Sequence, residues 1–240
     1  MTRLKSLLRR FGVYGGRLSR RPFGEDILHD IDRLSQSWGT QVRTILDVGA
    51  NIGQTAERFA DHFPDAKIWS FEPHPTTFAT LQQTVSGRPN VQTRNLALGD
   101  TNEMVAFFEY ENPLINSRIA DAAYPRRKGL TPRRLQVEQQ TVDSFCAAEG
   151  IAEIDFLKVD TEGFDRAVIA GATGLLASGA IRFVQCEFAL SSEGKATTVA
   201  DLLPLIEPYG YYLLSTYLDF VVLDGKMFAN GNVLFVRPNE

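Results

Sequence analysis

The segment Asp47-Val48-Gly49-Ala50-Asn51-Ile52-Gly53 constrains this chain more than any other, because it joins two patterns of different period. Before it stands the apolar run from Thr44. After it Thr55, Ala56, Phe59, Ala60 and Phe63 recur at helical spacing. A strand, a tight turn and a helix follow from that change of period. Glycines at such a junction let backbone approach a ligand closely, and the unsatisfied N–H groups at the helix start favour an anionic or oxygen-rich part of it. A plain turn accounts for the glycines but not for Asp47.

The same unit recurs downstream. Lys67 to Phe71 reads as a strand, Pro75 to Val85 as a helix and Val91 to Leu98 as a third strand. This alternation predicts an α/β fold with a parallel sheet covered on both faces. Met104 to Tyr110 reads as an added strand, after which residues 111–134 lose periodicity and collect prolines and basic side chains, the mark of a substrate-facing loop. Regularity returns with Leu135 to Val142, a helix near Asp143 to Glu149, a strand Ile154 to Val159, one helix from Asp165 to Leu176 and a strand Ile181 to Phe188. A helix over Thr198 to Glu207 precedes β-rich pieces at Tyr211 to Thr216, Phe220 to Leu223 and Asn232 to Arg237. Turns are expected at Asp224-Gly225 and Asn230-Gly231. Ahead of the first strand, Ile27, Leu28, Ile31, Leu34 and Trp38 mark an amphipathic helix. The organisation expected is a basic arm and helix over residues 1–43, then one domain over residues 44–240.

A chain of 240 residues with 44% apolar side chains can bury a core without disulfides or a structural metal. Cys146 and Cys186 agree: both lie in apolar patterns without metal-type spacing, as in a reduced intracellular protein. The net charge of −4 hides an asymmetry, since residues 1–21 carry seven basic side chains and no acid, leaving 18 basic against 29 acidic residues in the rest. An acidic body argues against a broad nucleic-acid footprint. The arm has no apolar h-region, because Arg9 and Arg10 interrupt it, and no segment reaches a membrane span. A cytoplasmic protein is expected. Its arm is either a solvated tail or a contact for a partner or the inner face of an anionic membrane.

Glu72, in Phe71-Glu72-Pro73, ends the second strand about twenty residues beyond the glycine turn, where a carboxylate can accept hydrogen bonds from the vicinal hydroxyls of a ribose. The dinucleotide spacing G-x-G-x-x-G is absent. Asp47 beside the turn suits an ammonium and a sulfonium better than a pyrophosphate, which favours S-adenosylmethionine over a nicotinamide cofactor. His74 stands next to this pocket. Asn95-Leu96-Ala97-Leu98-Gly99-Asp100 ends the third strand with apolar side chains that can flank an adenine ring or simply close a strand.

The fourth element is Lys158-Val159-Asp160-Thr161-Glu162-Gly163, at the carboxyl end of a strand, the edge where open parallel sheets bind ligands. Asp160 and Glu162 project to one side while the backbone stays extended, and Glu187 closes the next strand. Converging carboxylates raise at least one pKa. The group can supply a base, bind a divalent cation such as Mg2+ through Asp160, Glu162 and Glu187, or hold substrate hydroxyls; Asp160 can also merely cap a helix and pair with Lys158.

Taken in order, Asp47 to Gly53, Phe71 to Pro73, Ala97 to Asp100 and Lys158 to Gly163, with Thr141-Val142-Asp143-Ser144-Phe145 before the last, resemble the FkbM family of class I S-adenosylmethionine-dependent methyltransferases. The resemblance runs from about Thr44 to Phe188. It implies a Rossmann-like, three-layer α/β/α fold whose mostly parallel seven-stranded sheet ends in an antiparallel hairpin. It places the methionine end of the cofactor on Asp47, Gly49, Asn51 and Gly53 and the ribose on Glu72. Ala50 and Pro73, beside them, are further candidate cofactor contacts, as are Ala97 and Leu98 at the end of the third strand. The resemblance implies O-methylation of a hydroxyl on a sugar, glycolipid or secondary metabolite. At the acidic edge, Asp160 or Glu162 is expected to take the hydroxyl proton, assisted by Glu187 or by a bound cation. Asp165 extends the acidic edge.

Two rivals share the fold. A nucleic-acid base methyltransferase is suggested by Asn112-Pro113-Leu114, a partial match to the Asn-Pro-Pro-aromatic signature of amino-methylating enzymes. A cofactor-binding scaffold without catalysis is the other, and the intact carboxylate edge speaks against it.

Overall fold

The computed structural model describes residues 22–109, 133–189, 197–223 and 226–238. The basic arm 1–21, most of the 111–134 insertion with Asn112-Pro113-Leu114, and the turn at Asp224-Gly225 lie outside these residues.

Elements alternate as the periodicity requires. Helix α1 (Ile27–Ser37) is capped by Asp26, whose carboxylate accepts the Leu28 and His29 N–H groups. There follow β1 (Thr44–Val48), α2 (Gln54–His62), β2 (Lys67–Phe71), α3 (Pro75–Thr84), β3 (Val91–Arg94), β4 (Ala97–Leu98), β5 (Glu103–Glu109) and β6 (Arg133–Gln140). The second half holds α4 (Val142–Glu149), β7 (Ile154–Val159), α5 (Asp165–Ala170), α6 (Thr173–Ser178), β8 (Ile181–Ala189), α7 (Val199–Ile206), β9 (Tyr212–Leu223) and β10 (Lys226–Val236).

Seven strands form one sheet in the order β3-β2-β1-β7-β8-β10-β9. The first five are parallel, and β10 runs antiparallel to both β8 and β9. Alternation along each strand sends side chains to two cores. Leu46, Val48, Trp69, Phe71, Leu157 and Val184 pack against Phe145, Val168, Leu176 and Leu202 of α4 to α7. Ile45, Ile68, Phe156 and Phe183 pack against Ile31, Phe59 and Leu81 of α1, α2 and α3. Helices thus cover both faces, as expected of an α/β/α fold. No described helix is long and apolar enough to cross a membrane.

Three expectations fail in informative ways. Val91 to Leu98 is not one strand: Asn95 Nδ2 donates to the carbonyls of Glu72 at 2.8 Å and Pro73 at 2.9 Å, turning the chain so that β4 joins a second sheet ordered β4-β6-β5. The helix expected from Asp165 to Leu176 breaks at Gly171, where a Cβ would lie 1.9 Å from the Gly99 carbonyl oxygen and where the Gly171 carbonyl accepts from Asp143 N–H at 3.0 Å. Asn230-Gly231 is not a turn. It lies inside β10, paired with Asp219 and Leu218, and a Cβ on Gly231 would meet the Tyr217 carbonyl at 2.3 Å. The glycine that reads as a turn signal is there for close strand packing.

Candidate active site

β1 ends in the glycine turn, whose path is set by two backbone contacts. Gly49 and Ala50 donate to the Phe71 carbonyl at 3.1 and 2.9 Å. Gly49, at φ +76°, lies so close to the end of β7 that a Cβ would sit 1.8 Å from the Asp160 carbonyl oxygen. Asn51 follows in the left-handed region at φ +49°. Gly53 caps α2 without a side-chain hydrogen bond and packs on Leu81 and Thr84 of α3.

Glu72 is hydrogen-bonded directly to this turn. Its Oε2 accepts the Asn51 N–H at 3.1 Å and its Oε1 the His74 N–H at 2.9 Å. Burial pushes the carboxyl up to about 7, although both N–H groups pull the other way. His74 itself turns inward. Nδ1 accepts the Thr77 N–H at 3.3 Å to cap α3, leaving Nε2 to donate to Glu109 at 2.9 Å.

Beneath the turn, the Lys158 ammonium lies 3.1 Å from Asp47 Oδ1, 2.9 Å from the Gly49 carbonyl oxygen and 3.5 Å from Asp160 Oδ2. Burial alone would lower it, but Asp47 and Asp160 raise it above the usual lysine range, so it stays charged. Behind Asp160, burial first and the Asp160 charge second raise Asp165 to about 6, against the Thr161 hydroxyl that donates to it at 3.2 Å. Glu162 holds a left-handed conformation at φ +53°, and burial with the charges of Asp160 and Asp165 pushes its carboxyl up to about 7. Its surface is exposed at the rim, so solvent screens part of that rise.

These elements enclose a crevice of about 200 Å³ at the carboxyl edge of the sheet. Gly49, Ala50 and Asn51 form one wall with Gln54 and Thr55 of α2; Glu72 and Pro73 face them; Leu96, Ala97, Leu98 and Phe107 supply an apolar side; Asp160, Thr161, Glu162 and Phe164 close the end. Its lining thus combines apolar side chains, the Glu72 carboxylate and the acids Asp160 and Glu162.

The methyltransferase FkbM domain model matches residues 47–213, a span that takes in every wall of this crevice. The chain belongs to the FkbM methyltransferase family. Among its relatives, the 2-O-methyltransferase NoeI of Sinorhizobium fredii (strain NBRC 101917 / NGR234) is 27% identical over 180 residues, covering 68% of this chain and 72% of that protein. Methyltransferase 1 of Beauveria bassiana (strain ARSEF 2860) is 28% identical over 145 residues, covering 53% of this chain and 57% of that protein. The METTL16 methyltransferase domain superposes with a TM-score of 0.51 at 12% identity, covering 98% of this chain and 78% of that one, and shares the fold.

Within this FkbM domain, Gly49, Ala50, Asn51, Glu72, Pro73, Ala97, Leu98, Asp160 and Glu162 stand on the crevice wall as the sequence suggests. Asp47 does not: it is fully buried and reaches the crevice only through Lys158. Gly53 belongs to the α2–α3 packing, and His74 to the cap of α3. Glu187 does not close its strand: it lies inside β8, which continues to Ala189, and is half-buried and off the crevice wall. Among the described residues no three His, Cys, Asp or Glu side chains gather to hold a metal ion, so the cation site that the sequence offers as one alternative for Asp160, Glu162 and Glu187 finds no support. Asp160 turns to Lys158 instead. Sequence reasoning missed Phe107, which arrives from the second sheet, and Gln54, Thr55 and Phe164, which sit one or two residues past the glycines and carry no signal of their own.

Proposed function

We propose that this FkbM domain binds S-adenosylmethionine in the crevice and methylates a hydroxyl of a sugar, glycolipid or secondary metabolite. The observation that carries the reading is Glu72: a buried carboxylate on the crevice wall, oriented by two backbone N–H groups, one of them from the left-handed Asn51 of the glycine turn. A carboxylate so held keeps lone pairs for the vicinal hydroxyls of a ribose. Leu96, Ala97, Leu98 and Phe107 fit an adenine ring, and the turn from Gly49 to Asn51 with the uncapped start of α2 fits the methionine end. Bound there, the sulfonium supplies an electrophilic methyl carbon to an incoming oxygen.

The chain's own part is to orient, to exclude water and to take one proton. Glu162 suits that last task. Its carboxyl, raised towards neutrality, stands at the rim next to the acidic end, where an acceptor enters. Asp160 is held by Lys158 and is better placed to orient than to accept. The relative named as a 2-O-methyltransferase supports oxygen as the accepting atom.

A methyl-transfer screen over sugar, glycolipid and metabolite hydroxyls, with RNA and DNA as comparators, tests the reading. Transfer to a hydroxyl with release of S-adenosylhomocysteine supports it. Transfer to a nucleic-acid base, or cofactor binding with no transfer to any class, would overturn it in favour of a base methyltransferase or a scaffold.

A further inference from the structure

Lys158 is 2% exposed, and its ammonium meets more oxygens than charge balance demands. Asp47 Oδ1 alone, at 3.1 Å, would compensate it. Yet the Gly49 carbonyl stands at 2.9 Å, the Val48 carbonyl at 3.4 Å and Asp160 Oδ2 at 3.5 Å. These oxygens come from the floor of β1, from the glycine turn and from the end of β7. The turn is thus gripped from two sides: the Asp160 backbone lies against Gly49 with no room for a Cβ, and the ammonium holds the Gly49 carbonyl.

We propose that Lys158 is a positioning residue for the cofactor site, fixing the turn from Gly49 to Asn51 and holding the Asp160 carboxylate on the crevice wall. The proposal rests on the cofactor reading above only for what the turn binds. A charge-assisted hydrogen bond to a carbonyl is strong and directional. Loss of the ammonium therefore releases the turn whose Asn51 N–H meets Glu72, and the two sides of the crevice lose their common register.

The decisive variant removes both charges together. Lys158→Met alone strands a buried Asp47 and can fail to fold, whereas Asp47→Asn with Lys158→Met strands no charge at position 47 and leaves only the part-exposed Asp160 carboxylate to solvent. In the double variant we expect melting close to wild type, faster deuterium exchange at the amides of residues 49–53 without ligand, and S-adenosylhomocysteine bound about tenfold more weakly. Asp47→Asn alone, which keeps the ammonium on Gly49 and Asp160, is expected to bind within about threefold of wild type. Wild-type exchange in the turn and wild-type affinity in the double variant would overturn the proposal and reduce Lys158 to a counter-ion. If the unmodified chain bound no S-adenosylhomocysteine, the cofactor reading would fail, and exchange in the turn would by itself decide the role of Lys158.

Discussion

The Asn51 main-chain N–H donates to Glu72 Oε2 at 3.1 Å, so the tip of the glycine turn and the acid that ends β2 form a single edge of the crevice. Glu72→Gln keeps the size of the side chain while removing its charge. Losing charge-assisted acceptance of ribose hydroxyls weakens S-adenosylhomocysteine binding by about 10- to 100-fold. Calorimetric titration reads the affinity. The melting temperature should change little or fall modestly, because sparing the burial of a carboxylate is offset by an amide that offers one acceptor oxygen to the two N–H groups of Asn51 and His74.

The same residue sets a pH dependence. Burial raises its carboxyl from 4.5 to about 7, and the ionised form is the one that accepts two hydroxyls. Affinity for S-adenosylhomocysteine should therefore fall as pH drops through about 7, and Glu72→Gln should flatten that slope. The effect on stability has the opposite sign. A folded value above the unfolded one gives a contribution that is full below about 4.5 and lost as pH rises through about 7. Thermal melts across this range, wild type against Glu72→Gln, separate the two effects.

Two glycines of similar conformation make a controlled pair. Gly49 at φ +76° would place a Cβ 1.8 Å from a carbonyl oxygen, whereas Gly150 at φ +67° has no atom within 4 Å. Gly150→Ala should cost about 1 kcal/mol from left-handed strain alone. Gly49→Ala should cost about 3 kcal/mol or more and weaken cofactor binding, because β1 and β7 must move apart. Urea unfolding of both variants checks the difference.

Glu162→Gln leaves the turn and Glu72 untouched. We expect turnover to fall about 100-fold, the usual scale for losing a general base, with S-adenosylhomocysteine affinity near wild type. The acid limb of the rate profile, set by a carboxyl raised by burial and by Asp160 and Asp165, should vanish with it. Lost binding with intact turnover at saturating cofactor would remove Glu162 from the chemistry.

Asp143, in the segment Thr141 to Phe145, predicts a purely structural outcome. Its oxygens accept the Gly174 and Leu175 N–H groups at 2.7 and 3.0 Å, fastening α4 to the start of α6. Asp143→Ala should destabilise the fold by about 1–2 kcal/mol and leave cofactor affinity unchanged.

What could be read from the chain alone follows from how local each signal is. The change of period at Gly49 to Gly53 and the Phe71-Glu72-Pro73 exit announce themselves within a few residues, and both stand where expected. The partition of Val91 to Leu98 between two sheets was not legible, because it depends on Asn95 reaching back to Glu72 and Pro73. Asp47 reads as a ligand contact from its place beside the turn. Only the pairing of Asp47 with Lys158 across β1 and β7 shows that it works from below. The acids were legible as a group but not their partner: a lysine two residues before Asp160 looks like an ordinary counter-ion until the Gly49 carbonyl is seen against it.

Titration calorimetry of the unmodified chain, with S-adenosylmethionine in one experiment and a nicotinamide dinucleotide in another, decides which cofactor the crevice takes. We expect saturable one-to-one binding of S-adenosylmethionine that Glu72→Ala abolishes, and no heat from the dinucleotide. Binding of the dinucleotide in place of S-adenosylmethionine, or an S-adenosylmethionine affinity indifferent to Glu72, would contradict that expectation.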